Sequence, residues 1–479
     1  MRFLLSVLVS LFSALLMSAL LLQCTVNKNQ VIKKDWSKTY RIESGTPFSL
    51  ALTVYSTTMI ADGKDHMMAR VAVTDSIGKE IISSNLQFRI YITGDATLSG
   101  ESITYKNIDE NDRYWEGRLT DGLCRFNVIA GTKPDKIKLE VKADSLHPSS
   151  HEIHTVPADF RQMHPTRAQL STTGKPIDRM LGADISFLPQ TEERGARYIV
   201  NGEETDAVEA LAENGFNYIR LRIFVNPENP EGYSPEKGFC GLDHTKLMAK
   251  RVKESGMKLL LNFHYSDYWA DPQQQNKPLA WHELGYQQLK ETVKKYTKDV
   301  LLELGEQGTL PDMVQVGNEI NHGILWPEGH ISNPDQLAGL LMAGAEAVNE
   351  VDPDIPVMMH LALGGQNAEA VFWLDNMIAR GVKFDIIGLS YYPRWHGTLD
   401  DLQDNLSDLA DRYALPLNIV EYLPYPEELN EIIFSLPDDL GKGTCTWEPL
   451  RSMFGRDGVA NDNLFVYKKI SVTWFNKTE

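Results

Sequence analysis

The stretch DMVQVGNEINHGILWPEG, Asp312 to Gly329, decides the fold. It begins as an apolar run suited to a buried strand, stops on Asn318–Glu319, and meets Trp326 and Pro327 soon after. A strand covered on both faces reads as a near-continuous Val/Ile/Leu run. Seven more such segments share this half of the chain: GADISFL, YIRLRIF, KLLLNFHY, VMMHLAL, FDIIGLSYY, LNIVEY and TCTWEP. Between them lie helical stretches, Thr205–Asn214, His244–Ser255, Tyr286–Gly305, Pro334–Glu350, Ala368–Arg380, Leu399–Tyr413 and Glu427–Phe434. Eight strand–helix units in about 300 residues predict an α/β fold, a (β/α)8 TIM barrel, over residues 176–475. A doubly wound sheet is the rival, but no Gly-rich phosphate turn follows an early strand.

The period changes upstream. Residues 30–157 hold short alternating strands, such as FSLALTVYS, HMMARVAVTD and LCRFNVIAG, separated by Gly- and Asp-bearing turns like ADGKD and DSIGK. That pattern predicts a small all-β, Ig-like sandwich. Its wording resembles Ig-like modules appended to polysaccharide-degrading enzymes. Tyr114 and Trp115 read as core or rim aromatics, with a sugar platform as the other reading. A polar stretch, 158–175, links the two domains, and the sandwich is read as an accessory module outside the chemistry.

The N-terminus, MRFLLSVLVSLFSALLMSALLLQC, carries Arg2 and then an apolar run to Leu22, which reads as an export signal over residues 1–24. Cys24 ends the run as the lipidated residue of a bacterial lipoprotein would. Plain secretion and an uncleaved anchor remain the alternatives. The expected location is the cell surface by a lipid anchor, otherwise secreted or periplasmic. Cys124, Cys240 and Cys445 have no metal or disulfide spacing. A net charge of −18 excludes a phosphate-backbone partner, and a neutral ligand and a monomer are expected.

In a TIM barrel the chemistry sits at the C-terminal ends of the strands. Here those ends carry Asp184, Arg220 and Arg222, Asn262, His264, Asp267 and Trp269, Asn318 and Glu319, His360, Tyr391, Tyr392 and Trp395, Glu421, and Trp447 and Glu448. Either Glu319 or Glu421 alone reads as a cap or surface ion pair. Ending strands 4 and 7, they face each other across the barrel mouth, and a pair of carboxylates is what glycoside hydrolysis requires. Trp269, Trp395 and Trp447 offer apolar faces to sugar rings, whereas Trp373 reads as core.

The stretches GADIS, LRIFVNP, NFHYSDYWADPQQQNKPLAW, QVGNEINHGILWP, DIIGLSYYPRWHGTL, IVEY and WEP resemble glycoside hydrolase family 53, the endo-β-1,4-galactanases, from about Leu181 to Phe454. The resemblance implies retaining endo-hydrolysis of β-1,4-galactan in pectin side chains. It makes Glu319 the general acid/base, Glu421 the nucleophile and Asn318 the partner of the sugar 2-OH. It places Arg222, His264, His360, Tyr391 and Trp447 at subsites near the cleavage point, with Asp184, Asp267, Trp269 and Trp395 as further substrate contacts. Arg222 is expected to keep Glu421 ionised and Tyr391 to donate to it. Relatives carry a long calcium-binding loop after the nucleophile, but EYLPYPEELNEIIF runs almost directly into a helix. No cofactor is therefore expected, with calcium left open. The alternatives are another β-glycanase of this fold, on mannan, xylan or glucan, and a non-catalytic glycan-binding protein.

Overall fold

The computed structural model describes residues 41–475, apart from 43, 55–56, 77–79, 108–112, 145 and 159–173. The export signal with Cys24, and nearly all of the linker, lie outside the described residues.

The eight apolar segments form one closed parallel barrel in chain order: Met180–Asp184, Tyr218–Ile223, Lys258–Phe263, Met313–Val316, Val357–Leu361, Ile386–Tyr391, Leu417–Tyr422 and Gly441–Trp447. These are barrel strands 1 to 8. The expected helices fall between them; the first, Ala207–Glu213, starts where the Asp206 carboxylate accepts the Val208 and Glu209 N–H groups. Besides the short helices Leu188–Glu193, Pro393–His396 and Leu450–Met453, one long helix exceeds expectation. Asp462–Trp474 lies in the tail, where the β-branched and aromatic residues of VYKKISVTW obscure a helical period. Its buried Leu464, Tyr467 and Ile470 face the barrel, and the Tyr467 and Tyr422 hydroxyls meet at 3.0 Å.

Alternate strand residues point into the barrel. At its floor each strand contributes one buried residue: Met180, Tyr218, Leu260, Met313, Met358, Ile386, Val420 and Cys445. Two residues further along strands 2 to 5 stand Arg220, Asn262, Gln315 and His360, all essentially inaccessible. A buried polar group costs free energy unless it is hydrogen-bonded, so this polar layer on an apolar floor must be internally paired. That layer is the base of the site.

The sandwich strands run from Arg41 to Pro157 in two six-stranded sheets. One centres on the antiparallel pair His66–Thr74 and Leu123–Ala130, the other on Gln87–Thr93 and Lys136–Lys142. Val71, Ile90, Phe126, Val128 and Leu139 fill the space between the sheets. Tyr114 is buried and Trp115 half-buried at the rim.

Candidate active site

Glu421 sits on barrel strand 7 and is held from two sides. Arg220 Nη1 donates to its Oε2 at 2.8 Å, and the Tyr392 hydroxyl donates to its Oε1 at 2.8 Å. Arg220 is fixed in turn: Nη1 also donates to Asp184 Oδ2 (3.0 Å), Nη2 to Asn318 Oδ1 (2.8 Å), and Nε to Gln315 Oε1 (3.1 Å). A local irregularity aims Glu421 inward. Gly388 and Ser390 of strand 6, two apart, pair with Asn418 and Glu421 of strand 7, three apart. The extra residue changes the parity of strand 7, as a β-bulge does beside many active sites.

Glu319 follows strand 4 in the left-handed backbone region, φ 48° and ψ 56°, after Gly317 at φ 84°. A non-glycine residue there costs on the order of 1–2 kcal/mol, sustained only where the surroundings fix it. Its carboxylate accepts the Ser390 hydroxyl at 2.7 Å. Ser390 Oγ lies 2.8 Å from His360 Nε2, while His360 Nδ1 accepts the Glu319 N–H (3.4 Å) and lies 3.0 Å from the Gln315 amide nitrogen. Those donors assign the imidazole proton to Nε2, giving the chain His360 to Ser390 to Glu319. Burial, with Arg220 nearby, holds His360 well below its ordinary pKa and so neutral. The Glu319 carboxyl goes the other way: burial first, then the charge of Glu421, raises it to about 8.

The remaining residues sort by distance from this pair. Asn318 accepts from Arg220 and Asn262 and gives one amide hydrogen to the Ala270 carbonyl (2.9 Å). His264 is buried beside Asn262 and accepts the Ala270 N–H at 3.1 Å. Arg222 Nη1 donates to Glu448 (2.8 Å), and the guanidinium lies 4.3 Å from the ring centres of both Phe187 and Trp269. Trp269 and Trp447 meet edge to face at 6.4 Å, and Trp395 stands exposed at the rim.

Four expectations are corrected. Arg220, not Arg222, pairs with Glu421; Arg222 serves Glu448 and Asp184. Tyr392, not Tyr391, donates to Glu421. Ser390 and Tyr392 share the inward parity of strand 6, which leaves Tyr391 in the core between barrel and helices with its hydroxyl on the Gly397 carbonyl (3.1 Å). Asp267 is no substrate contact, since Oδ1 takes the Asn226 N–H and Oδ2 the Asn229 amide and Leu279 N–H, binding loops together. Asp184 likewise lies beneath the site, accepting from Ser186 and Arg220. Ser390, Tyr392 and Gln315 gain roles here that the strand-end reading did not assign. Period-two counting from the inward Ile386 and Met313 was the signal that finds them.

After strand 7 only Leu423, Pro424 and Tyr425 precede helix Pro426–Phe434, and none is a carboxylate. Among the described residues no group of three or more His, Cys, Asp or Glu is arranged to hold a metal.

Residues 50–152 match the glycoside hydrolase family 2 C-terminal domain 5. The uncharacterized protein in the bgaB 5′ region of Niallia circulans is 44% identical over 56% of this chain and 83% of its own length. The arabinogalactan endo-β-1,4-galactanase of Cellvibrio japonicus is 38% identical over 52% of this chain and 66% of its own. Among solved structures, the Ignisphaera aggregans GH53 catalytic domain superposes with a TM-score of 0.58 at 33% identity, covering 62% of this chain and 97% of that one. With residues 180–450 matching the family pattern, the chain belongs to glycosyl hydrolase family 53 and is a glycoside hydrolase.

Proposed function

We propose that the chain is a retaining endo-hydrolase of β-1,4-galactan, the side chain of type I arabinogalactan, with Glu421 as nucleophile and Glu319 as general acid/base. One observation carries this reading: two neighbouring carboxylates are held in opposite ways. Glu421 accepts from a guanidinium and a phenol, whereas burial and the Glu421 charge keep Glu319 protonated to about pH 8.

In the first step Glu421 attacks the anomeric carbon, and Glu319 gives its proton to the departing glycosidic oxygen. Esterified Glu421 has no charge, so one cause of the high Glu319 pKa disappears. Glu319 is then a carboxylate fit to take a proton from the attacking water, and the same group serves as acid and base. The Arg220 and Tyr392 donors receive the Glu421 carboxylate again when the glycosyl-enzyme opens. Asn318 retains one amide hydrogen for a substrate hydroxyl. Trp269, Trp447 and exposed Trp395 present ring faces to the sugar chain. The names of the relatives support galactan over mannan, xylan or glucan.

The test is Glu421→Ala assayed on galactan with and without azide. Loss of about 10⁴-fold or more is expected, with partial recovery by azide and a product of inverted configuration. A glycosyl azide of retained configuration overturns the nucleophile assignment.

A further inference from the structure

The sandwich meets the barrel on its catalytic face, at the loop after strand 3 and the helix after strand 5. Arg70, on strand His66–Thr74, is paired with Glu80 of its own domain at 2.7 Å, and its Nη2 donates to Gln273 Oε1 of the barrel at 3.1 Å. Glu369, 1% exposed in the first turn of helix Asn367–Ala379, accepts three bonds from the sandwich. The Thr57 N–H (3.0 Å), the Thr57 hydroxyl (3.1 Å) and the Thr58 N–H (3.1 Å) supply them. A carboxylate this deeply buried needs such donors, and here another domain provides them. His154 stacks on Phe372 of the same helix, 6.3 Å between ring centres.

Both contacts lead to Glu319. The Gln273 N–H donates to Asp271 Oδ1 at 2.7 Å, and in the same loop Gln275 Nε2 donates to the carbonyls of Asn318 (2.8 Å) and Glu319 (3.4 Å). Glu369 lies 3.6 Å from His322 Nε2, and His322 Nδ1 lies 2.7 Å from the Pro272 carbonyl. The sandwich thus grips the loop after strand 3 directly, through Gln273, and reaches the loop after strand 4, which carries Glu319, through Glu369 and His322.

We propose that the sandwich is a positioning part of the active site, in which Arg70 through Gln273, and Thr57–Thr58 through Glu369, hold the loops that aim Glu319. This rests on the acid/base reading of Glu319. None of these residues touches the reacting atoms; they act through backbone placement, where errors of about an ångström cost roughly 10²-fold in rate.

The experiment uses the full chain, comparing Arg70→Ala, Gln273→Ala and the double variant on two substrates. Galactan has a leaving group that needs a proton; an aryl β-galactobioside releasing dinitrophenolate does not. Each single variant is expected to lower kcat/KM on galactan about tenfold, a fraction of the 10²–10⁴ that a general acid supplies, while the aryl substrate changes less than about twofold. The double variant should be no worse than either single one, because both remove the same contact, and Arg70→Lys should recover part of the loss. Should Arg70→Ala fail to fold, Gln273→Ala carries the test from the barrel side with Arg70 intact. Galactan activity within about twofold of the parent, equal losses on both substrates, or additive losses overturns the inference. Glu319→Ala, run alongside, should lose kcat/KM on galactan and spare kcat/KM on the aryl substrate, with turnover of the latter then limited by release of the glycosyl-enzyme, which has lost its base. If it does not, the acid/base reading itself fails, whereas a normal Glu319→Ala beside an unaffected Arg70→Ala rejects the positioning role alone.

Discussion

Both domains are built from period-two strands, yet they use the inner face differently. In the sandwich the strand Leu123–Ala130 alternates between buried and more exposed positions, and every inward residue is apolar or a thiol. In the barrel, strand 2 is buried along its whole length, and its inward row reads Tyr218, Arg220, Arg222. A chain that only needs to fold has no use for two arginines there, because a buried charge is stabilising only in a complete network. An inward row that turns from apolar to charged toward one end of the barrel is therefore the mark of a site.

The sharpest way to break this contrast is Arg220→Lys. An ammonium has three donors and no fork, so it cannot reach Glu421, Asp184, Asn318 and Gln315 together as Arg220 does. We expect kcat/KM on galactan to fall by about 10²–10³-fold, with the melting temperature measured on the same samples to separate catalysis from folding. Activity within tenfold of the parent would mean that the polar layer supports the barrel rather than the nucleophile.

The contrast also explains what was legible in the sequence. The barrel strands were readable because both faces are covered, so their apolar residues are not confined to alternate positions. Glu319 and Glu421 stood out because each ends such a run. The parity of side chains within a strand end was harder. Tyr391 and Tyr392 are adjacent and chemically alike, and only the inward register of Ile386 and Ser390 decides between them. Arg220 and Arg222 share a face, so alternation cannot separate them; their roles follow from height in the barrel. The contact of Arg70 with Gln273 had no local signal, since it joins positions in different domains whose spacing in the chain carries no period.

A smaller effect sharpens the account of Glu319. Ser390 donates to Oε1, and a bond to the charged form lowers a carboxyl pKa. Ser390→Ala removes it, so the Glu319 carboxyl moves further up from about 8. Glycosylation needs protonated Glu319, and kcat/KM falls as pH rises through that pKa. The basic limb of the variant should thus move to higher pH, while activity on the plateau falls about tenfold because the carboxyl loses its orientation. A limb that moves to lower pH, or stays, would place the proton donor elsewhere.

The smallest effect is expected furthest from the barrel. Trp115 packs half-buried on the sandwich rim against Tyr105, ring centres 4.9 Å apart, with Tyr105 49% exposed. Their strands, Arg113–Arg118 and Ile103–Asn107, end the sheet opposite to Thr58–Ala61, the strand that adjoins Thr57 and the Glu369 contact. Nothing that holds Glu319 passes through them. Trp115→Ala should cost about 1–3 kcal/mol of sandwich stability through lost packing and leave kcat/KM on soluble galactan unchanged. A partly exposed aromatic pair is also the chemistry that grips a sugar ring, so the same variant is assayed on long and short galactans. A loss confined to the long polymer, with the short galactan cleaved at the parental rate, would show that the sandwich holds the substrate chain as well as the loops of the site.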